Sequence, residues 1–217
     1  FNTWMLFSSQ SEKLYFDDIS KYYEDWKKMK KRKVGGLTAA SIIYWVKESN
    51  PAEYEKIKVE EDELPTIIQK MIKGELDGIN ITIPHKESIM KDLDEINPRA
   101  KSIGAVNCIL KSGSKIIGNN TDWYGFSMAM KNNNINPLDR EVIILGAGGS
   151  AKSILYALRQ MGVKKIFLLN RNIERARALE DKCIIAYCLE DAVDIIKNDS
   201  IIINATSVGM QFSETPV

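Results

Sequence analysis

The chain has 217 residues, enough for one large or two small domains, each with a real core. With 44% hydrophobic and 27% charged residues and a formal net charge of +1, it has an ordinary globular balance and no global attraction to nucleic acid or an anionic membrane. No apolar run approaches the roughly 18 residues of a membrane span, and the opening FNTWMLFSSQ lacks the basic and long apolar regions of a signal peptide.

The chain does not begin with Met, as a fragment or a processed piece would not. Residues 1–33 form a predicted helical, basic extension. Ile19, Tyr22, Tyr23, Trp26 and Met29 recur at helical spacing, and the segment ends in KKMKKRK, a solvated helix end or a docking segment. From Val34 to Asp122 helix and strand are mixed. A helix is predicted over 38–49, a strand over 54–59, and a second helix from Glu61-Asp62-Glu63 to Lys73, closed by Gly74 as its C-cap. A strand over 78–83, a helix over 87–93, the segment GAVNCIL and a turn at GNNTD complete this half.

Trp123–Asn133 reads as a connecting helix. Strands over 141–145, 165–169, 183–187 and 200–204 then alternate with helices over 151–161, 173–181 and 189–197. Such alternation specifies a parallel sheet covered by helices. The fold class is therefore α/β, with a mixed first domain over 34–122 and a Rossmann-type domain over 123–217. Cys108, Cys183 and Cys188 are odd in number without C-x-x-C spacing, which suits free thiols in a reducing cytoplasm rather than zinc or disulfides. His85 is the single histidine, so a two-histidine metal site is excluded and no metal is expected.

Two motifs carry chemistry. In EVIILGAGGSAKSILYAL the residues Gly146, Ala147, Gly148, Gly149, Ser150 and Ala151 have the form G-x-G-x-x-A between an apolar strand and a helix, the setting of a dinucleotide site. Gly146 permits the tight turn, Gly148 admits a pyrophosphate, Ala151 lets the helix lie close, and the helix N-terminus offers amide donors. At the next strand tip an NAD site would place an acid about 20 residues on. Here Asn170, Arg171 and Arg175 stand instead, two cations for a 2′-phosphate and an amide for the remaining ribose hydroxyl, so NADP is favoured.

The second motif is GINITIPHKE, residues 78–87, a strand broken by Pro84 just before Lys86. A carbonyl that gains hydride needs a proton or a strong hydrogen bond on its oxygen. Lys86 suits that task, Asp122 can hold its ammonium, and Thr82 and Asn107 offer neutral contacts to a polyhydroxylated substrate. Taken singly, Lys86 reads as a surface charge, Asp122 and Thr82 as turn or cap residues, and Asn107 as a strand-end amide. Only the set carries the chemistry.

That set, NITIPHK, IGAVN, NNTDWYGF, GAGGSA, NRNIER and INATSVGM in this order and spacing, resembles the shikimate dehydrogenases over roughly residues 50–210. The resemblance implies NADP-dependent interconversion of 3-dehydroshikimate and shikimate in aromatic amino-acid biosynthesis. It implies Lys86 and Asp122 as the catalytic pair, Thr82 and Asn107 as further substrate contacts, and cofactor contacts from 146–151, Asn170, Arg171, Arg175 and Thr206. The partner is a small molecule, with no nucleic acid and no membrane, and the protein is a monomer or homodimer. The family's opening Gly-x-Pro turn and paired serines are replaced by KVGGLTAASIIYW, with Ser41 as their candidate survivor, and the chain stops at Val217 before the family's closing helix. Quinate/shikimate dehydrogenase and a non-catalytic NADP-binding remnant are the alternatives. His85 is assigned no role, and Met210 is placed near the nicotinamide face or in packing.

Overall fold

The computed structural model describes residues 57–138, 140–197 and 199–208. The 1–33 extension, the helix over 38–49, Ser41 and Met210 lie outside the described residues, and so does the first half of the strand over 54–59, whose last residues 57–59 join no strand.

A turn at Glu61–Glu63 leads into α1 (Leu64–Lys73). Pro65 in its first turn needs no intrahelical donor, and Gly74, at φ 79°, ends it by donating to Lys70 and Met71 carbonyls. Leu64, Ile67, Ile68 and Met71 fall on one helical face and are buried. Against them pack Ile89, Val106, Ile109 and Ile116, the core of the first lobe. Its sheet contains β1 (Gly78–Asn80), β2 (Glu95–Ile96), β3 (Cys108–Ser112) and β4 (Lys115–Asn119) in the order β1-β3-β4-β2. β3 and β4 form an antiparallel hairpin about Gly113, while β2 runs parallel to β4. The short α2 (Pro98–Ile103) is capped by the Asn97 side chain, which accepts from the Arg99 amide.

α3 (Asp122–Asn132) joins the lobes. In the second lobe β5 (Val142–Leu145), β6 (Ile166–Asn170), β7 (Ile184–Cys188) and β8 (Ile201–Asn204) are all parallel, in the order β7-β6-β5-β8. Numbered within the lobe, that order is 3-2-1-4, one doubly wound half of the Rossmann type. α4 (Gly149–Gln160), α5 (Ile173–Arg177) and α6 (Ala192–Ile195) link the strands. β5 is buried throughout: Val142 and Ile144 join a core with Phe126, Met130, Ile154 and Leu158, while Ile143 and Leu145 face Phe167, Leu169 and Ala192. A strand covered on both faces needs an unbroken apolar run, and VIIL supplies it.

The expected α/β architecture is therefore present, with shorter elements at several places. The strand over 78–83 leaves the ladder after Asn80; the Ile81 amide still reaches the Asn107 carbonyl at 2.9 Å, and a turn closes from His85 N to Thr82 O. The helix over 87–93 is a five-residue 3₁₀ stretch, Ser88–Asp92. Those over 173–181 and 189–197 shrink to α5 and α6, where Asp181 accepts from the Cys183 and Ile184 amides and so diverts the chain into β7. β4 and α2 have no counterpart among the expected elements, although Ser112-Gly113 between two apolar stretches is a hairpin signal.

Candidate active site

Lys86 lies two residues beyond Pro84, in the irregular segment after β1, and is only 4% exposed. The segment is fixed to the sheet, because the Val106 amide donates to the Lys86 carbonyl at 2.7 Å. Lys86 Nζ donates to Asp122 Oδ2 at 2.7 Å. Asp122 is the first residue of α3, where the helix N-terminus favours a carboxylate. Its other oxygen, Oδ1, accepts from Asn107 Nδ2 at 2.8 Å, and its amide donates to Asn120 Oδ1 at 3.0 Å. Asn107 also receives the Thr121 amide on Oδ1 at 2.9 Å. Ammonium and carboxylate are thus buried together with their remaining polar atoms bonded, the condition under which a buried ion pair is tolerated.

The predicted Lys86, Asp122 and Asn107 meet in one cluster. Thr82 is exposed on the turn that leads to Lys86, one residue beyond the Ile81–Asn107 contact. His85 turns elsewhere, its Nε2 lying 3.0 Å from the Val59 carbonyl. Cys108, next to Asn107 on β3, is buried beside Asp122; burial first, then that carboxylate, push its thiol up to about 12. All three cysteines are free.

The glycine turn comes to the same place from the second lobe. Gly146 has φ 102° and donates to the Leu169 carbonyl at 2.7 Å; a Cβ there would meet Thr206 Cγ2 at 3.0 Å and Ala205 carbonyl atoms at 3.2 Å. Only glycine fits both the conformation and the space. A Cβ on Gly148 would meet nothing within 4 Å, so the backbone is open where the α4 amides begin. A Cβ on Gly149 would lie 3.0 Å from Lys86 Cβ and 3.4 Å from that of Ala105. This close approach brings Ser150 Oγ within 3.2 Å of Lys86 Nζ. Ala147 and Ala151 are buried, as small residues under the turn should be.

At the tip of β6, Asn170 Nδ2 donates to the Asn172 carbonyl at 2.7 Å, and Asn172 caps α5. Arg171 and Arg175 are exposed there. Thr206 follows β8, with its amide and hydroxyl both donating to Asn204 Oδ1.

Four residues outside the predicted set connect the lobes. Asn120 donates to the Ala105 carbonyl at 2.9 Å and to Ser153 Oγ of α4 at 3.0 Å, and both side chains are fully enclosed. Glu87 Oε2 accepts from Lys152 Nζ at 2.6 Å. The asparagine at the NNTD turn is a visible signal; the partners on α4 are not, because 33 and 65 positions separate them from Asn120 and Glu87.

Sequence models of two domains match this chain: the shikimate dehydrogenase substrate binding domain over residues 43–109 and shikimate/quinate 5-dehydrogenase over 128–213. The chain belongs to the shikimate dehydrogenase family. The shikimate dehydrogenase (NADP(+)) of Bacillus cereus (strain AH187) is 38% identical over 165 residues, covering 73% of this chain and 60% of that protein. The crystal structure of shikimate dehydrogenase 1 from Peptoclostridium difficile superposes with a TM-score of 0.69 at 33% identity, over 81% of this chain and 65% of that one. For the Thermus thermophilus shikimate 5-dehydrogenase in complex with NADP(H) and shikimate the values are 0.67, 32%, 81% and 66%. The chain therefore spans about three fifths of the length of the curated relatives it matches. The family's two-lobed α/β architecture is the one described above. Among the described residues no helix is long and apolar enough to cross a membrane.

Proposed function

We propose that the protein catalyses the NADP-dependent interconversion of 3-dehydroshikimate and shikimate, with residues 34–122 holding the substrate and residues 123–217 the cofactor. One observation carries this reading: Lys86 Nζ sits between Asp122 Oδ2 at 2.7 Å and Ser150 Oγ of the glycine turn at 3.2 Å. A dinucleotide fits the second lobe, because Gly148 leaves the approach to the α4 amides open and Gly146 accommodates the turn beneath it. Gly146, Ala147, Gly148, Gly149, Ser150 and Ala151 would hold the pyrophosphate, Asn170, Arg171 and Arg175 the adenosine ribose and its 2′-phosphate, and Thr206 the region beside Gly146. NADPH, when bound, supplies the hydride that reduces the keto carbon.

Everything else falls to the chain's own side chains. Lys86 donates a proton to the keto oxygen in the reductive direction and takes it back in the oxidative one. Asp122 holds the ammonium in place and balances its charge in an enclosed site. Asn107, fixed by Thr121 and Asp122, and Thr82, on the exposed turn, contact ring hydroxyls. A cytoplasmic location and a monomeric or homodimeric state belong to the same proposal, and the three unpaired thiols suit a reducing compartment.

The test uses the full chain with shikimate and NADP, followed by the absorbance of the reduced nicotinamide. Reduction of NADP that depends on shikimate and far exceeds that with quinate is the expected result. NADP binding without measurable shikimate affinity in calorimetry would leave a non-catalytic remnant instead.

A further inference from the structure

Lys86 and Glu87 are consecutive, and both reach from the first lobe to the first turn of α4. Lys86 meets Ser150, and Glu87 meets Lys152. Glu87 does something more. While Oε2 holds Lys152 at 2.6 Å, Oε1 lies 3.6 Å from Arg175 Nη2 on α5. A carboxylate of the first lobe thus stands against one of the two cations assigned above to the 2′-phosphate.

We propose that Glu87 is a specificity residue: its carboxylate competes with the adenosine 2′-phosphate for Arg175 and so weakens the preference for NADP over NAD. The inference rests on the NADP reading. Three observations support it. The Glu87–Lys152 contact has the length of a charge-assisted hydrogen bond, whereas the Arg175 contact is longer, so Arg175 is loosely held and remains able to turn to a phosphate. The Arg175 side chain is 58% exposed and that of Glu87 35%, so a phosphate can approach both. Competition and direct repulsion then act in one direction, since each makes a phosphate less welcome beside the carboxylate. Lys152 offsets part of this charge, which keeps the effect small.

The experiment is calorimetric titration of the full chain with 2′,5′-ADP and with 5′-AMP, which differ only in the 2′-phosphate. Glu87→Gln should tighten 2′,5′-ADP by about threefold, the scale of an exposed ion pair, and leave 5′-AMP unchanged. In an Arg175→Ala background the same substitution should tighten 2′,5′-ADP clearly less, because only the direct repulsion is then relieved, whereas a merely structural role for Glu87 predicts the same change in both backgrounds. Lys152→Met should move the other way, lowering the ratio of 2′,5′-ADP to 5′-AMP affinity, because an unneutralised Glu87 then turns wholly to Arg175. This variant keeps the idea testable should Glu87→Gln fail to fold. A wild-type chain that holds both probes equally overturns the NADP reading itself. A wild-type chain that prefers 2′,5′-ADP, with Glu87→Gln no tighter, overturns the role of Glu87 alone.

Discussion

The two lobes build their parts of the candidate site by different routes. The glycine turn is local: residues 146–151 lie in one run between β5 and α4, and the turn's shape follows from missing side chains and from a parallel sheet buried on both faces. The cluster around Lys86 is assembled. It gathers Lys86, Asn107, Asn120 and Asp122 from three segments up to 36 positions apart, and side-chain hydrogen bonds hold them in place. A turn of the first kind fails when a Cβ is added. A network of the second kind fails when one member is removed and its partners stay buried.

The difference can be broken most sharply at Lys86. Lys86→Ala should lower turnover by about a hundredfold to ten-thousandfold, the usual scale for the acid-base role proposed for it, while the NADP dissociation constant changes by less than about threefold in calorimetry. A comparable loss of NADP affinity would show that the two lobes are not separable in this way. Gly146→Ala is the opposite probe. With φ at 102° and Thr206 and Ala205 atoms at 3.0–3.2 Å from the added carbon, the folded chain should lose about 2–3 kcal/mol in urea unfolding, and NADP binding should fall with it.

Asn120→Ala tests the network without touching Lys86 or the Asp122 carboxylate, the proposed catalytic pair. It leaves the Asp122 amide, the Ala105 carbonyl and Ser153 short of a partner inside the fold. A loss of about 1–3 kcal/mol is expected, together with reduced turnover at nearly unchanged NADP affinity. Cys108 gives the smallest effect at neutral pH, because its contribution appears only in alkali. Burial, and then the Asp122 carboxylate, push its folded thiol up from the ordinary 9.0 to about 12. Below the ordinary value both states keep the proton and nothing changes. Between the two values the unfolded chain ionises and the folded chain does not, so stability falls as pH rises, by at most about 1.4 kcal/mol per unit. Cys108→Ala should flatten that slope, and native Cys108 should resist iodoacetamide at neutral pH while Cys183 and Cys188 react.

Much of the second lobe is legible in the sequence for the reason that makes it local. A buried parallel strand must be apolar, the turn after it must be glycine-rich, and the two stand side by side in the chain. The first lobe is legible in part. α1 shows its buried face and its closing Gly74, and Lys86, Asn107 and Asp122 can be nominated as a group, but β4, α2 and the true end of β1 escape a reading of the sequence. β1 ends where Ile81 exchanges the ladder for one bond to Asn107, a choice made by a partner more than twenty positions away.

The amino-acid order by itself determined which residue types were available: a glycine turn with no side chains in the way, an apolar strand to carry it, and an ammonium, a carboxylate and an amide to do chemistry. Tertiary structure alone decided that Gly149 would lie against Lys86, that Ser150 would share its ammonium, and that Glu87 would face Arg175. Local preferences reach only a few residues along the chain, whereas these contacts depend on how two separate sheets are docked, and that is fixed by the sum of buried contacts between them.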